Sequence, residues 1–144
     1  MEELIPLNDI AVGVEVTDWK DAIRKAGQLL VDDGSIEVKY IEDMIASVEK
    51  LGPYIVLMPG FALGHSEPCP AVLRNGLSLI TLANPVDFGS MNDPVKCVMC
   101  LACVDKESHI SRLQSVAFKL MSDGIVDKMC QCETAQQLYE LMNN

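Results

Sequence analysis

Three mainly apolar runs, at residues 54–58, 77–82 and 95–104, alternate with stretches of helical period, and this alternation limits what the chain can become. Runs of this length and character are read as strands buried on both faces. A weaker strand is expected at 11–16, where Val and Ile cluster. Ahead of the first long run, Trp19, Ala22, Ile23, Ala26, Leu29 and Leu30 recur at helical spacing behind a cap at Thr17 or Asp18 and stop near Gly34. A second helix is predicted over 38–51, its apolar face being Ile41, Met44, Ile45 and Val48, with Gly52 and Pro53 ending it. After Asp105 the helical period returns in Ile110, Leu113, Ala117, Leu120 and Met121, and Thr134 opens a last helix carrying Leu138, Leu141 and Met142. Strands alternating with helices indicate an α/β layer fold.

The residues between these elements read as turns. Pro59 and Gly60 break the first run, and 60–76 is predicted as one long loop at a strand end, with 84–94 turn-rich. The chain contains no internal repeat or linker, so residues 1–144 are read as one domain, which at this length buries roughly 68–70% of its unfolded surface. Hydrophobic residues make up 49% and charged residues 22%, which favours a filled core over disorder.

A formal charge of −10 argues against binding a nucleic-acid backbone and makes basic protein partners plausible, though acidity also serves solubility alone. No leader-like segment opens the chain and no apolar run has the roughly 18 residues of a membrane span, so a cytoplasmic location is expected.

Both histidines fall where a predicted strand meets a loop or helix start, the common place for ligands in open α/β sheets. His65 follows the glycine-bearing stretch Pro59, Gly60, Phe61, Ala62, Leu63, Gly64, and His109 lies in the first turn after Asp105. A neutral imidazole is a good nucleophile near pH 7, and phosphoryl transfer needs mainly positioning and charge stabilisation around such a group. Gly64 and Ser66 beside His65, and Ser108 at the helix start, are candidates to cradle a phosphate through backbone amides or hydroxyls. Residue type alone equally allows two ordinary loop histidines, or a His65/Glu67 pair with Glu67 as a general base.

Cys97, Cys100 and Cys103 have the spacing of a metal or iron–sulfur motif. On a strand, however, residues three apart point to opposite faces, so these thiols are read as buried free cysteines and no metal site is assigned. Cys130 and Cys132 are weak ligands in the same sense, Cys69 stands alone, and exposed thiols at 130 and 132 would be open to oxidation. Met44, Met121 and Met142 are read as packing residues.

The stretch from Gly52 through His65, with Ile55, Val56, Leu57, Met58, Pro59 and Gly60 leading to Gly64-His65, resembles the segment around the phosphorylated histidine in mannitol/fructose-type enzyme IIA proteins of the bacterial sugar phosphotransferase system, most of all the ascorbate-type branch. Val104, Asp105, Lys106, Glu107, Ser108 and His109 are similar to the second histidine segment of that family. The resemblance implies an α/β fold, a layered α/β/α sandwich with a mixed, mostly parallel sheet of about five strands. It implies that His65 accepts phosphate from the phosphocarrier HPr and donates it to a cognate enzyme IIB, with His109 assisting, no cofactor, and the membrane component IIC as an indirect partner. Self-association into a homodimer is left open, as is a regulatory role read out through the phosphorylation state. The chain departs from the common pattern by carrying Gly64 where Pro usually precedes the acceptor histidine and Ser66 where Gly follows, and no arginine stands within 46–50.

Overall fold

The computed structural model describes residues 3–143. A single 3-10 turn (Leu7–Asp9) leads into β1 (Ile10–Val14), followed by α1 (Trp19–Asp32), α2 (Val38–Leu51), β2 (Val56–Met58), β3 (Phe61–Gly64), β4 (Gly76–Val86), β5 (Val95–Ala102), α3 (Lys106–Leu120), α4 (Ile125–Gln131) and α5 (Ala135–Asn143). The strands form one mixed sheet in the order β1-β4-β5-β3-β2. Its four ladders divide evenly, with β1–β4 and β3–β5 parallel and β4–β5 and β2–β3 antiparallel, so the expected mixed five-stranded sheet is present without a parallel majority.

Alternation along β5 divides the core in two. Val98, Cys100 and Ala102 pack with Ile23, Ala26 and Leu30 of α1 and Ile41, Met44 and Ile45 of α2. Cys97, Met99 and Leu101 face the other way, against Val116 and Leu120 of α3, Val126 and Met129 of α4, and Leu138 and Met142 of α5. Burial on both faces explains why this run is apolar almost throughout, with Lys96 its one exposed residue. Cys97 and Cys100 lie on opposite faces and Cys103 rejoins the side of Cys97, so the three thiols do not converge.

Helices α1 and α2 match the predicted stripes. The Asp18 carboxylate caps α1 by accepting from the Asp21 amide at 2.9 Å, and Gly52 at φ 87° closes α2. In α5, the Thr134 hydroxyl accepts from the Gln137 amide at 3.1 Å.

Three expectations are corrected. The supposed loop 60–76 begins with strand β3, four fully buried residues inserted between β2 and β5. Gly60, at φ 84°, makes the reversal between β2 and β3 without a Cβ, and so brief a strand leaves no periodicity to detect. Strand β4 extends through Val86 into the region read as turns. On α3 the buried face runs through Val116 and Leu120, whereas Ile110, Phe118 and Met121 face solvent; Met121, expected in the core, is 79% exposed. Helix α4 answers to no sequence expectation, because seven residues are too few to establish a period. Among the described residues no helix is long and apolar enough to cross a membrane.

Candidate active site: two imidazoles at one sheet edge

Strands β3 and β5 are parallel neighbours with Gly64 opposite Cys100, so their carboxyl ends emerge on the same edge. His65 follows β3 directly. From β5 the chain continues through Cys103 and Val104 to Asp105, whose carboxylate caps α3 by accepting from the Ser108 amide at 2.7 Å. The first turn of α3 then carries His109 over His65, with ring centroids 5.5 Å apart and planes at 49°. Tyr54 also meets the His65 ring edge-on, at 5.7 Å and 87°.

The two rings are held differently. His65 Nδ1 lies 3.0 Å from the Leu63 carbonyl. A carbonyl only accepts, so Nδ1 carries the hydrogen in the neutral ring and Nε2 keeps the free lone pair. On His109, Nδ1 is buried without a hydrogen-bond partner. Burial, and to a lesser degree the nearby His65, hold the His109 imidazolium below the ordinary histidine range, which keeps this ring neutral at neutral pH.

A cleft of about 620 Å³ opens over the pair, walled by Leu51, Tyr54, Ser66, Glu67 and Ile110. Two lysines border it, Lys50 from the last turn of α2 and Lys106 from the first turn of α3. They are the cationic groups at the cleft, and sequence reasoning did not single them out. A larger hollow of about 1050 Å³ along α3, bordered by Arg112 and Phe118, contains neither histidine. Convergent chemistry, not volume, marks the site.

Of the sequence-predicted residues, the fold brings together His65, His109 and Ser66. Gly64 is the buried last residue of β3 and lies off the cleft wall; a Cβ there would approach Cys100 Sγ to 3.3 Å and Met44 Sδ to 3.5 Å, so its small size serves packing. The Ser108 amide is consumed by the Asp105 cap, and that residue is also absent from the wall. Ser66 is on the wall, but its amide donates to Tyr40 Oη at 2.9 Å. Glu67 is exposed at the rim.

Tyr40 is a further residue that sequence reasoning missed. It is fully buried in α2, and its hydroxyl also lies 3.0 Å from both the Ser66 and Leu101 carbonyls, which ties the segment after His65 to the end of β5. Burial pushes its phenol further above the ordinary tyrosine range, so it stays a neutral donor. In sequence it is one more apolar position of a helical stripe.

Residues 3–144 match the family described as phosphoenolpyruvate-dependent sugar phosphotransferase system, EIIA 2. The ascorbate-specific PTS system EIIA component of Salmonella choleraesuis is 31% identical over 144 residues, which span 99% of this chain and 94% of that protein. The mannitol-specific cryptic phosphotransferase enzyme IIA CmtB of Escherichia coli superposes with a TM-score of 0.88 at 29% identity, covering 98% of both chains. Enzyme IIA mannitol in its complex with phosphorylated enzyme IIB mannitol, also from Escherichia coli, gives a TM-score of 0.82 at 26% identity over 96% of each chain. A match that runs through the whole described fold and includes both histidine-bearing strand ends makes this chain a member of the EIIA 2 family of the phosphoenolpyruvate-dependent sugar phosphotransferase system, a phosphocarrier.

Proposed function

We propose that the chain, acting as one domain in the cytoplasm, takes a phosphoryl group from phosphorylated HPr onto His65 Nε2. It then passes the group to a cognate enzyme IIB, for uptake of ascorbate or a related sugar or pentitol through a membrane IIC component. The observation that carries this reading is the His65 ring itself: Nδ1 is anchored on the Leu63 carbonyl, and the ring sits against His109 in the cleft.

The donor's P–N bond breaks as the Nε2–P bond forms, and the electron pair returns to the donor imidazole. Phosphorylated His65 retains its Nδ1 hydrogen, and the Leu63 carbonyl accepts more strongly from the positively polarised ring. Neutral His109 supplies a hydrogen-bond donor to the phosphoryl oxygens without the repulsion that a second cation would exert on that ring. Lys50 and Lys106 offset the oxygens' charge from the rim, and Ser66 offers its hydroxyl. Transfer onward reverses the first step toward the enzyme IIB nucleophile. The relatives' descriptions as ascorbate-specific support the substrate class.

Incubation with phosphoenolpyruvate, enzyme I and HPr, followed by mass spectrometry under alkaline conditions, should find one acid-labile phosphate on His65. His65→Ala should take up none. His109→Ala should still be labelled, about 10²-fold more slowly, as for loss of one transition-state donor. Label on His109, or wild-type rates without it, would remove the assigned roles.

A further inference from the structure

Away from the cleft, the structure brings together two cysteines 33 positions apart. Cys97 Sγ, fully buried in the central strand β5, lies 3.6 Å from Cys130 Sγ in the last turn of α4. Cys130 is an exposed residue and Cys97 a fully buried one, so the pair spans the boundary between surface and core. We propose that Cys97 and Cys130 are a peroxide-responsive thiol pair, Cys130 the attacking and Cys97 the resolving residue, converted reversibly to an intramolecular disulfide.

The pair is already in contact, and closing it to a bond of about 2.05 Å requires an approach of about 1.5 Å. Its asymmetry assigns the roles. Contact with Cys97, helped by the Lys96 charge, brings the Cys130 thiol down from the ordinary cysteine range against the opposing effects of burial and Asp127. The same contact, together with burial, pushes the Cys97 thiol up. Cys100 on β5 and Cys103 just beyond it are poor competitors, since both are buried and burial raises Cys103 and pushes Cys100 up to about 12. Cys132, two residues beyond Cys130, is turned to the Lys128 carbonyl at 3.4 Å and is also raised by burial.

In the first step the Cys130 thiolate attacks one oxygen of hydrogen peroxide, the O–O bond breaks, and the departing hydroxide takes a proton to become water, leaving a sulfenic acid on Cys130. The Cys97 sulfur then attacks the Cys130 sulfur. The S–O bond breaks, the hydroxyl leaves as water with the Cys97 proton, and the S–S bond forms. Two thiols and one peroxide give one disulfide and two waters. A dithiol reductant reverses the change by exchange.

The full chain is treated with one equivalent of hydrogen peroxide, quenched with catalase, alkylated and mapped by mass spectrometry. The expected product has lost two hydrogen atoms, carries a Cys97–Cys130 linked peptide pair, and returns to the starting mass with dithiothreitol. Cys130→Ser, a surface change, should slow thiol loss about tenfold and abolish the linked pair, while Cys132→Ser should leave both unchanged. Cys97→Ala, checked for folding by circular dichroism, should accumulate oxygen on Cys130 instead. A Cys130–Cys132 link, a link between two copies, terminal oxidation of Cys130 beside a free Cys97, or no reaction would each overturn the proposal.

Discussion

Tyr40 connects the buried core to the reactive edge through one hydroxyl. Replacement by Phe keeps the ring and removes that group, leaving the Ser66 amide and the Leu101 carbonyl without their shared partner. Unfolding in urea should find Tyr40→Phe less stable by about 1–3 kcal/mol, the range for a buried polar group left unpaired. The segment after His65 should loosen as well, so phosphorylation slows while His65 remains the labelled residue. At this scale the two histidines are legible in the sequence, because each follows an apolar run and a neutral imidazole suits phosphoryl transfer. Tyr40 is not, since a hydroxyl's partners depend on which strand ends lie above its helix. At Gly64 the missing Cβ leaves room for Cys100 and Met44, and at Ser108 the amide is taken by the Asp105 cap. A glycine's use as a cradle or as a packing gap, and an amide's freedom or commitment to a cap, are decided only by neighbours distant in the chain.

Helices α1 and α2 cross closely at Gly27. A Cβ there would stand 2.7 Å from Ile41 Cγ1 and 3.0 Å from Ile41 Cδ1, and Ile41 is a stiff, buried side chain with little room to retreat. Gly27→Ala gains about 1 kcal/mol of helix propensity. Overpacking of this kind costs about 1–3 kcal/mol, so a net loss of about 1 kcal/mol is expected in chemical denaturation, with α1 and α2 displaced. A measured gain would mean that the helices separate without cost. These two helices were legible because fourteen residues each sustain a full apolar stripe with clear stop residues. Strand β3 and helix α4 were not, being four and seven residues long, and β3 is decisive because it delivers His65. The stripe on α3 misleads for a different reason: its apolar residues continue around the helix, and only packing on the sheet face and the neighbouring helices determines which of them are covered.

For the molecule as a whole, 21 acidic against 11 basic side chains leave a formal charge of −10. A field of that sign attracts a basic partner and is screened by salt. If the donor docks through a basic face, the second-order rate of His65 phosphorylation should fall about tenfold between low and several-hundred-millimolar salt, with little change in the rate of transfer within the complex. A salt-independent second-order rate would instead make docking apolar, through Leu51, Tyr54 and Ile110 at the cleft rim. The parallel placement of β3 beside β5 has one more consequence. His65 stands one residue beyond β3, whereas His109 depends on the short stretch Cys103, Val104 and Asp105 that joins β5 to α3, so the 5.5 Å between the imidazoles is set jointly by the inner ladder and by the Asp105 cap. An insertion between Ala102 and Lys106 should swing His109 away from His65 and slow phosphorylation while the strand pairing holds. The inner ladder itself should hold amide hydrogens among the slowest in the molecule to exchange, and the first turn of α3 faster ones.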